Sequence, residues 1–465
     1  MGQNFLSCDR EQELLLPPSL REWLPSEHLA WVVIDLVDEF DLSAFYAAYR
    51  ADGHGRAAHE PAMMLALLVY AYAIGERSSR RIEQRCVEDV AFRVIAANQT
   101  PDHATIARFR QRHEIALGDL FGQVLELCAK AGLVSPQKLT VDGTKLPANA
   151  ARFATKDFDA LAREILAEAD EVDAAEDAQF GDRRGDELPE GFATSEGRRG
   201  WIRDARRELE RHRDQEQRPV PGDRQGRLLE ARERLLEEHR IEAEANRRYE
   251  HWRATGRMKN GRPFSRKPDP FTMPEKPTGS VNTTDPDSKI MRSHHGVVQG
   301  YNAQAVCTDD HLIVAAEVSV SAADFGQLAP MFAAAKHELQ AAGATGPIET
   351  VLADAGYWNQ DAIDAIAGEG TAVLVPPDAR NRDGTRPGWD GGRYAWMRHL
   401  LKTDCGIELY ARRQATIEPI FADLKFNRRF NRFLRRGRGA CRSEWRLAAA
   451  THNLLKLHRH TLATA

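Results

Sequence analysis

Cysteine is scarce in this chain, and none of it is spaced to act together. Cys8, Cys86, Cys128, Cys307, Cys405 and Cys441 are scattered with no short CxxC pair. That pattern excludes a zinc knuckle and a disulfide framework as organising devices. Long apolar runs are missing too: no stretch approaches the roughly 18 residues that a membrane-spanning helix needs. The opening residues, MGQNFLSCDREQELLLPP, lack the basic start and apolar segment of an export signal, which predicts a cytoplasmic protein with no membrane partner. Nor is there an overall excess of positive charge, since the net charge of the 465 residues is −5. What remains, 42% hydrophobic and 29% charged residues, describes a soluble globular chain with room for two or three domains. The near-even charge hides an asymmetry. From Ala411 to Arg446 stand ten Arg and Lys425 against only Glu418, Asp423 and Glu444. A local surplus of this kind can serve a nucleic acid even in an acidic protein.

The chain is organised around one stretch in that basic region, Tyr410 to Lys425. As a helix it would place Glu418, Phe421, Ala422 and Lys425 at i, i+3, i+4 and i+7, on one face. Pro419 suits a first helical position, so Glu418 is expected at a helix start or a kink. Arg412 and Arg413 precede it; Arg428, Arg429, Arg432, Arg435, Arg436 and Arg438 follow. An acid inside such a run suggests a bound cation beside Glu418 and a polyanion over the arginines.

Residues 1–134 read as an all-α domain. Pro61 to Gly75 is apolar almost all round, bounded by Pro and Gly, and is expected at the centre of a bundle. A basic helix follows, with Ser78 as N-cap. Then Asn98 to His113 reads as a polar loop and a short helix capped by Asp102, with Thr105, Arg108 and Arg112 projecting. Such a loop and helix look like a helix-turn-helix reader, with Arg108 and Arg112 as candidate DNA contacts.

At Lys138 the pattern changes to alternation, predicting a short strand that ends at Asp142-Gly143. Residues 151–280 are rich in Glu, Asp, Arg and Ala and poor in aromatics. Leu228, Leu235 and Ile241 recur loosely, as in a solvated helix or short coiled coil, and Pro and Gly mark a linker from Gly261 to Ser280. This segment is expected to be an insertion without chemistry of its own. Order returns with a hairpin (Gly296 to Cys307 and His311 to Ser319), then a helix from Phe325 to Ala342. A buried strand, Val351 to Ala353, exits at Asp354; a helix (Asn359 to Gly368), a strand (Thr371 to Val375) and a polar loop (376–393) lead to the Glu418 region. A last amphipathic helix spans 441–465.

Asp142 and Asp354 at strand ends can converge with Glu418 if the first strand lies beside the one that ends at Asp354. Three converging carboxylates repel one another and need cations. Two Mg²⁺ ions, hard cations that take carboxylate oxygens, meet that need and suit an in-line phosphoryl displacement.

These motifs together resemble the DDE transposases of bacterial insertion sequences, of the broad IS-four/IS-five-like group. That family's C-terminal signature is Tyr, two residues, Arg, three residues, Glu, six residues, Lys. Here Glu418 and Lys425 keep the six-residue spacing, with Tyr410 and Arg413 upstream and four residues, not three, between Arg413 and Glu418. The family's Asp-x-Gly-Tyr is present as Asp354-Ala355-Gly356-Tyr357, and its strand ending in Asp-Gly as Asp142-Gly143. The resemblance implies an α/β fold: an RNase H-like catalytic core with a mixed sheet (135–150 and 281–440), preceded by the all-α domain and carrying the long helical insertion after its first strand. It implies DNA cleavage at transposon ends and joining of the 3′-hydroxyl to target DNA. Asp142, Asp354 and Glu418 would be the catalytic residues and hold two Mg²⁺, with Mn²⁺ as a substitute. Tyr410, Arg413, Lys425, Arg428 and Arg429 would contact DNA phosphates, and Trp358 could stack on an unpaired base or be core. The partners implied are double-stranded DNA, both ends and target, and a second copy of the chain in a synaptic homodimer, in a bacterial, nucleoid-associated setting. A DNA-binding relic without catalysis and an RNase H-like nuclease are the alternatives.

Overall fold

A computed structural model describes residues 19–49, 57–165, 220–257, 263, 270, 274–293, 296–378 and 391–464. The opening residues, the middle of the insertion and most of the stretch expected as a linker therefore lie outside the described residues. Two compact units form: Met1–Ala116 with His458–Ala465, and Leu117–Leu457.

The first unit is helical, with α1 (Leu29–Asp38), the single turn α2 (Ser43–Tyr46), α3 (Pro61–Ala73), α4 (Ser79–Glu88), α5 (Val90–Ile95) and α6 (His103–Arg112). Helix α3 is its centre, as its sequence predicts: nearly every side chain is buried. Pro61 occupies the first turn, where its missing N–H costs nothing, and Glu60 caps the helix by accepting from the Met63 amide at 2.7 Å. Asp102 caps α6 through the Thr105 amide at 2.7 Å. Helix α6 buries Ile106 and Phe109, while Arg108 and Arg112 are exposed.

The second unit contains α7 (Glu114–Lys130, whose first turn falls in the first unit) and a mixed sheet. Its strands are β1 (Lys138–Pro147), β4 (Lys289–Ser293), β5 (Gly296–Thr308), β6 (Ile313–Ser319), β7 (Thr350–Leu352) and β8 (Ala372–Leu374). The order is β4-β5-β1-β7-β8, with β6 also on β5. Strands β5 and β6 form the expected hairpin, and β5 runs antiparallel to β1, whereas β7 and β8 run parallel to it. One expectation needs correction. Asp142-Gly143 does not end β1, because the 13-residue β5 keeps pairing with it as far as Pro147↔Gly300. The long ladder overrides the turn preference of Asp-Gly.

Between β6 and β7 lies α9 (Leu328–Ala341); α10 (Gln360–Gly368) joins β7 to β8, and α11 (Gly392–Leu400), α12 (Asp404–Ala422) and α13 (Arg438–Thr464) complete the chain. Leu328, Met331, Phe332, Ala335 and Leu339 all face the core, as their spacing predicts. Helix α13 is pinned to the sheet by Asn453, which accepts from Ile313 N at 2.9 Å and donates to Ile313 O at 2.7 Å. Its Arg446 is a buried hub: Nε donates to Gly118 O (2.9 Å), Nη2 to Glu338 (2.6 Å), and the guanidinium lies 4.9 Å from the Phe121 ring. Arg446→Met would leave Glu338 buried and unpaired. We expect a loss of about 3–5 kcal/mol, read by urea unfolding, with Arg446→Lys in between.

The insertion enters and leaves at one point, since β2 (Thr155–Asp157) pairs with β3 (Ser280–Asn282). Between them the described part is α8 (Arg224–Ala254), a 31-residue helix. Leu228 and Leu235 pack with Leu161, Ala231 and Val281 in a small core of the insertion's own, while Ile241 is 60% exposed and takes no part. Among the described residues no helix is long and apolar enough to cross a membrane.

Candidate active site

The parallel register sets Thr140 opposite Leu352, so Asp142 and Asp354 each stand two residues beyond that pair, Asp142 still on β1 and Asp354 just past the end of β7. Asp354 caps the turn Ala355–Tyr357 by accepting from Gly356 N at 2.8 Å. Burial pushes the Asp142 carboxyl up to about 6; Arg413 pulls it back and the charge of Asp354 adds to the rise. Asp354 is thus close enough to disfavour the ionisation of Asp142.

Helix α12 lies against β1 and supplies the compensating charge. Arg413, 8% exposed, donates from Nη1 to Asp142 Oδ2 at 3.1 Å, and its Nε has no partner among the described residues. Burial works against its charge, but Asp142, Tyr410 and Asp354 outweigh that and hold it firmly protonated. Tyr410, one turn earlier, has its ring 5.9 Å from the guanidinium. Burial raises its hydroxyl pKa, with Arg413 opposing. Lys425 donates to Thr144 Oγ1, and burial lowers its pKa while Asp142 opposes the fall.

Glu418 lies on the exposed side of α12, between buried Ile417 and Ile420. It is not at a helix start: Pro419 sits inside α12, which continues to Ala422 before a wider π turn over Asp423–Asn427. That turn breaks the 3.6-residue spacing, so Lys425 is half-buried while Glu418 is open. Among the described residues no group of three or more His, Cys, Asp or Glu side chains is assembled to hold a metal ion. The Asp142–Asp354 pair nonetheless offers carboxylate oxygens, the donors a hard divalent cation takes.

Two other expectations give way. Arg428 is 6% exposed, paired with Asp423 at 2.9 Å and donating to Thr451, so it holds the π turn to α13 and offers nothing to DNA. Trp358 is 6% exposed and stacked on Tyr394 at 5.1 Å, a core aromatic with no face left for a base. Arg429 stays exposed, in a left-handed conformation at φ 54°. The arginines beyond it sit on a loop fastened to the end of β1. Phe433 N donates to Pro147 O (2.9 Å), Asn149 Nδ2 to Leu434 O (2.8 Å) and Arg432 to Asn149 Oδ1 (2.8 Å).

Residues 18–112 match the family model described as Transposase domain (DUF772), and residues 387–458 match the one described as Transposase DDE domain. The second match takes in Tyr410, Arg413, Glu418 and Lys425, all on or just beyond α12. Together the two matches support a DDE transposase of an insertion sequence. No curated protein and no solved structure matches it significantly. Asp142 and Asp354 lie outside both matched segments, so in this transposase their pairing rests on the sheet register. One acid at the site carried no sequence signal: Asp324, between β6 and α9, close enough to raise the Asp142 pKa further.

Proposed function

We propose that this transposase cuts DNA at the ends of its insertion sequence and joins the freed 3′-hydroxyl to target DNA. The observation that carries the reading is the matched placement of Asp142 on β1 and Asp354 just past the end of parallel β7, beside the helix and π turn that bear Arg413, Glu418 and Lys425. An antiparallel β6-β5-β1 arrangement continued by parallel β7 and β8 supports an RNase H-like core. Asp142 and Asp354 would hold divalent ions, two Mg²⁺ or Mn²⁺ per site, with Glu418 as the third carboxylate. Bound there, such ions would polarise the attacking oxygen and the scissile phosphate.

The chain's own groups bind and orient. Lys425, half-buried beside Thr144, meets a phosphate oxygen, and Arg413 holds Asp142 ionised and fixed in orientation. Tyr410 keeps the guanidinium in place from the other side. Arg429 and the arginines of the following loop track the phosphate backbone, as Arg108 and Arg112 do on the helical unit. Two ends must be brought together, so the working form is a homodimer on DNA.

The test is cleavage and joining of DNA carrying the element's own ends, in Mg²⁺. Asp142→Asn, Asp354→Asn and Glu418→Gln should each lose both steps by at least about 10³-fold, roughly 4 kcal/mol of barrier, with end binding kept. Wild type that binds ends but never cuts would make the chain a DNA-binding relic. Cutting without joining would make it a nuclease.

A further inference from the structure

Asp324 lies outside every motif above, yet its carboxylate is built into the site. Oδ1 accepts from Lys145 Nζ (3.1 Å), Asn302 Nδ2 (2.8 Å) and Gln304 Nε2 (2.9 Å), and Oδ2 accepts from Lys145 Nζ (2.9 Å). Gln304 Oε1 in turn accepts the Tyr357 hydroxyl. The register pairs Gly143 with Gln304 and Lys145 with Asn302, so these groups share one face of the sheet. Asp142 and Thr144 point to the other, where Arg413 and Lys425 reach them. One carboxylate on the back of the sheet therefore touches the strand of Asp142 and, through Gln304 and Tyr357, the turn of Asp354.

The motif glycines explain themselves in the same terms. A Cβ on Gly143 would collide with Gln304 Nε2 and stand 2.8 Å from both Asn302 Oδ1 and Asp324 Oδ1. On Gly356 it would stand 3.0 Å from Asp354 Oδ1 and 3.5 Å from Asp324 Cβ and Oδ2. Neither glycine has a positive φ. Gly143 is required for space, and the space is filled by the Asp324 network.

We propose that Asp324 is a positioning residue, fixing the separation of Asp142 and Asp354 from behind the sheet, where Lys145, Asn302 and Gln304 anchor it. It is not itself a metal ligand, because its two oxygens already accept four hydrogen bonds. This rests on the reading of Asp142 and Asp354 as metal-binding acids.

The experiment is Mn²⁺ binding to the full chain without DNA, followed by loss of the free-ion paramagnetic resonance signal, with Asp142→Asn as reference. Asp324→Asn should bind Mn²⁺ about tenfold more weakly, within the range seen for groups that orient metal ligands. Cutting of the ends should fall with it and recover as Mn²⁺ is raised, which a merely structural defect would not do. Lys145→Gln carries the same expectation and stands in if Asp324→Asn does not fold. Folded variants with wild-type Mn²⁺ affinity would overturn the inference, as would wild type that binds no Mn²⁺. Wild type that binds Mn²⁺ through Asp142 but fails to cut would sink the transposition reaction alone, with the role of Asp324 still decided by the affinities.

Discussion

Arg413→Met should cost the second unit about 3–5 kcal/mol when divalent ions are chelated, and much less when Mg²⁺ is abundant. The reason lies in what the guanidinium compensates. Asp142 is already pushed up to about 6 by burial, with Arg413 opposing that rise and Asp354 adding to it. Removing the cation leaves two carboxylates facing each other in a site poor in water. Part of the loss can be relieved by protonating Asp142, so the defect should be larger at pH 8 than at pH 5. A bound divalent ion relieves it differently, by supplying the missing charge. Arg413→Lys should sit between, since it keeps a charge but not the fork that spans Asp142 and the Tyr410 side. Urea unfolding with chelator and with Mg²⁺ measures both terms. A variant that loses the same stability in both buffers would show that Arg413 matters for packing, not for the acids. In the joining assay the same substitution should lower the rate by about 10²-fold, which is close to 3 kcal/mol.

How much of this was open to reading in the sequence depends on how local each signal is. Asp142 and Asp354 could be paired in advance because each directly follows a short strand-like run, and parallel neighbours of that kind put equivalent positions side by side. Glu418 and Lys425 are legible as a spaced pair on one helix, and Arg413 through the family signature. Asp324 was not, since its loop has no motif and its main partner, Lys145, lies 179 positions away. The errors share a cause. Arg428 looked like its neighbours in a basic run, and only the π turn that brings Asp423 against it shows that it is buried. Trp358 needed Tyr394, from a helix after the next strand, to become core. Turn preference, a local signal, points to an end of β1 at Asp142-Gly143, while the ladder that carries the strand to Pro147 is not local.

The other large effect concerns Asp285, a fully buried acid with no cationic partner among the described residues, which shapes the basic loop. Its Oδ1 accepts from the Tyr301 hydroxyl (2.7 Å) and from Gly437 N (3.2 Å), where the chain turns from the loop into α13 at φ 84°. Burial pushes its carboxyl up to about 6, with the Tyr301 hydrogen bond opposing. A carboxyl raised in the folded state destabilises folding when ionised, so its penalty is full above about pH 6 and fades as pH falls toward the unfolded value near 4. Asn keeps the Oδ1 acceptor and never ionises. Asp285→Asn should therefore be more stable than wild type by roughly 2–3 kcal/mol at pH 8, shrinking to about a third of that by pH 4.5. The comparison has to be made between the two proteins. In the whole chain, His113, His311, His452 and His458, all lowered chiefly by burial, pull the stability of both downward on acidification. Because Gly437 keeps its acceptor, the loop should hold its shape and DNA binding should be unchanged. Asp285→Leu, which removes the acceptor, should weaken DNA binding even where it folds. An advantage for Asp285→Asn that stayed constant from pH 8 to pH 4.5 would mean that the buried carboxyl titrates normally, and that something other than its charge limits the stability of this corner of the sheet.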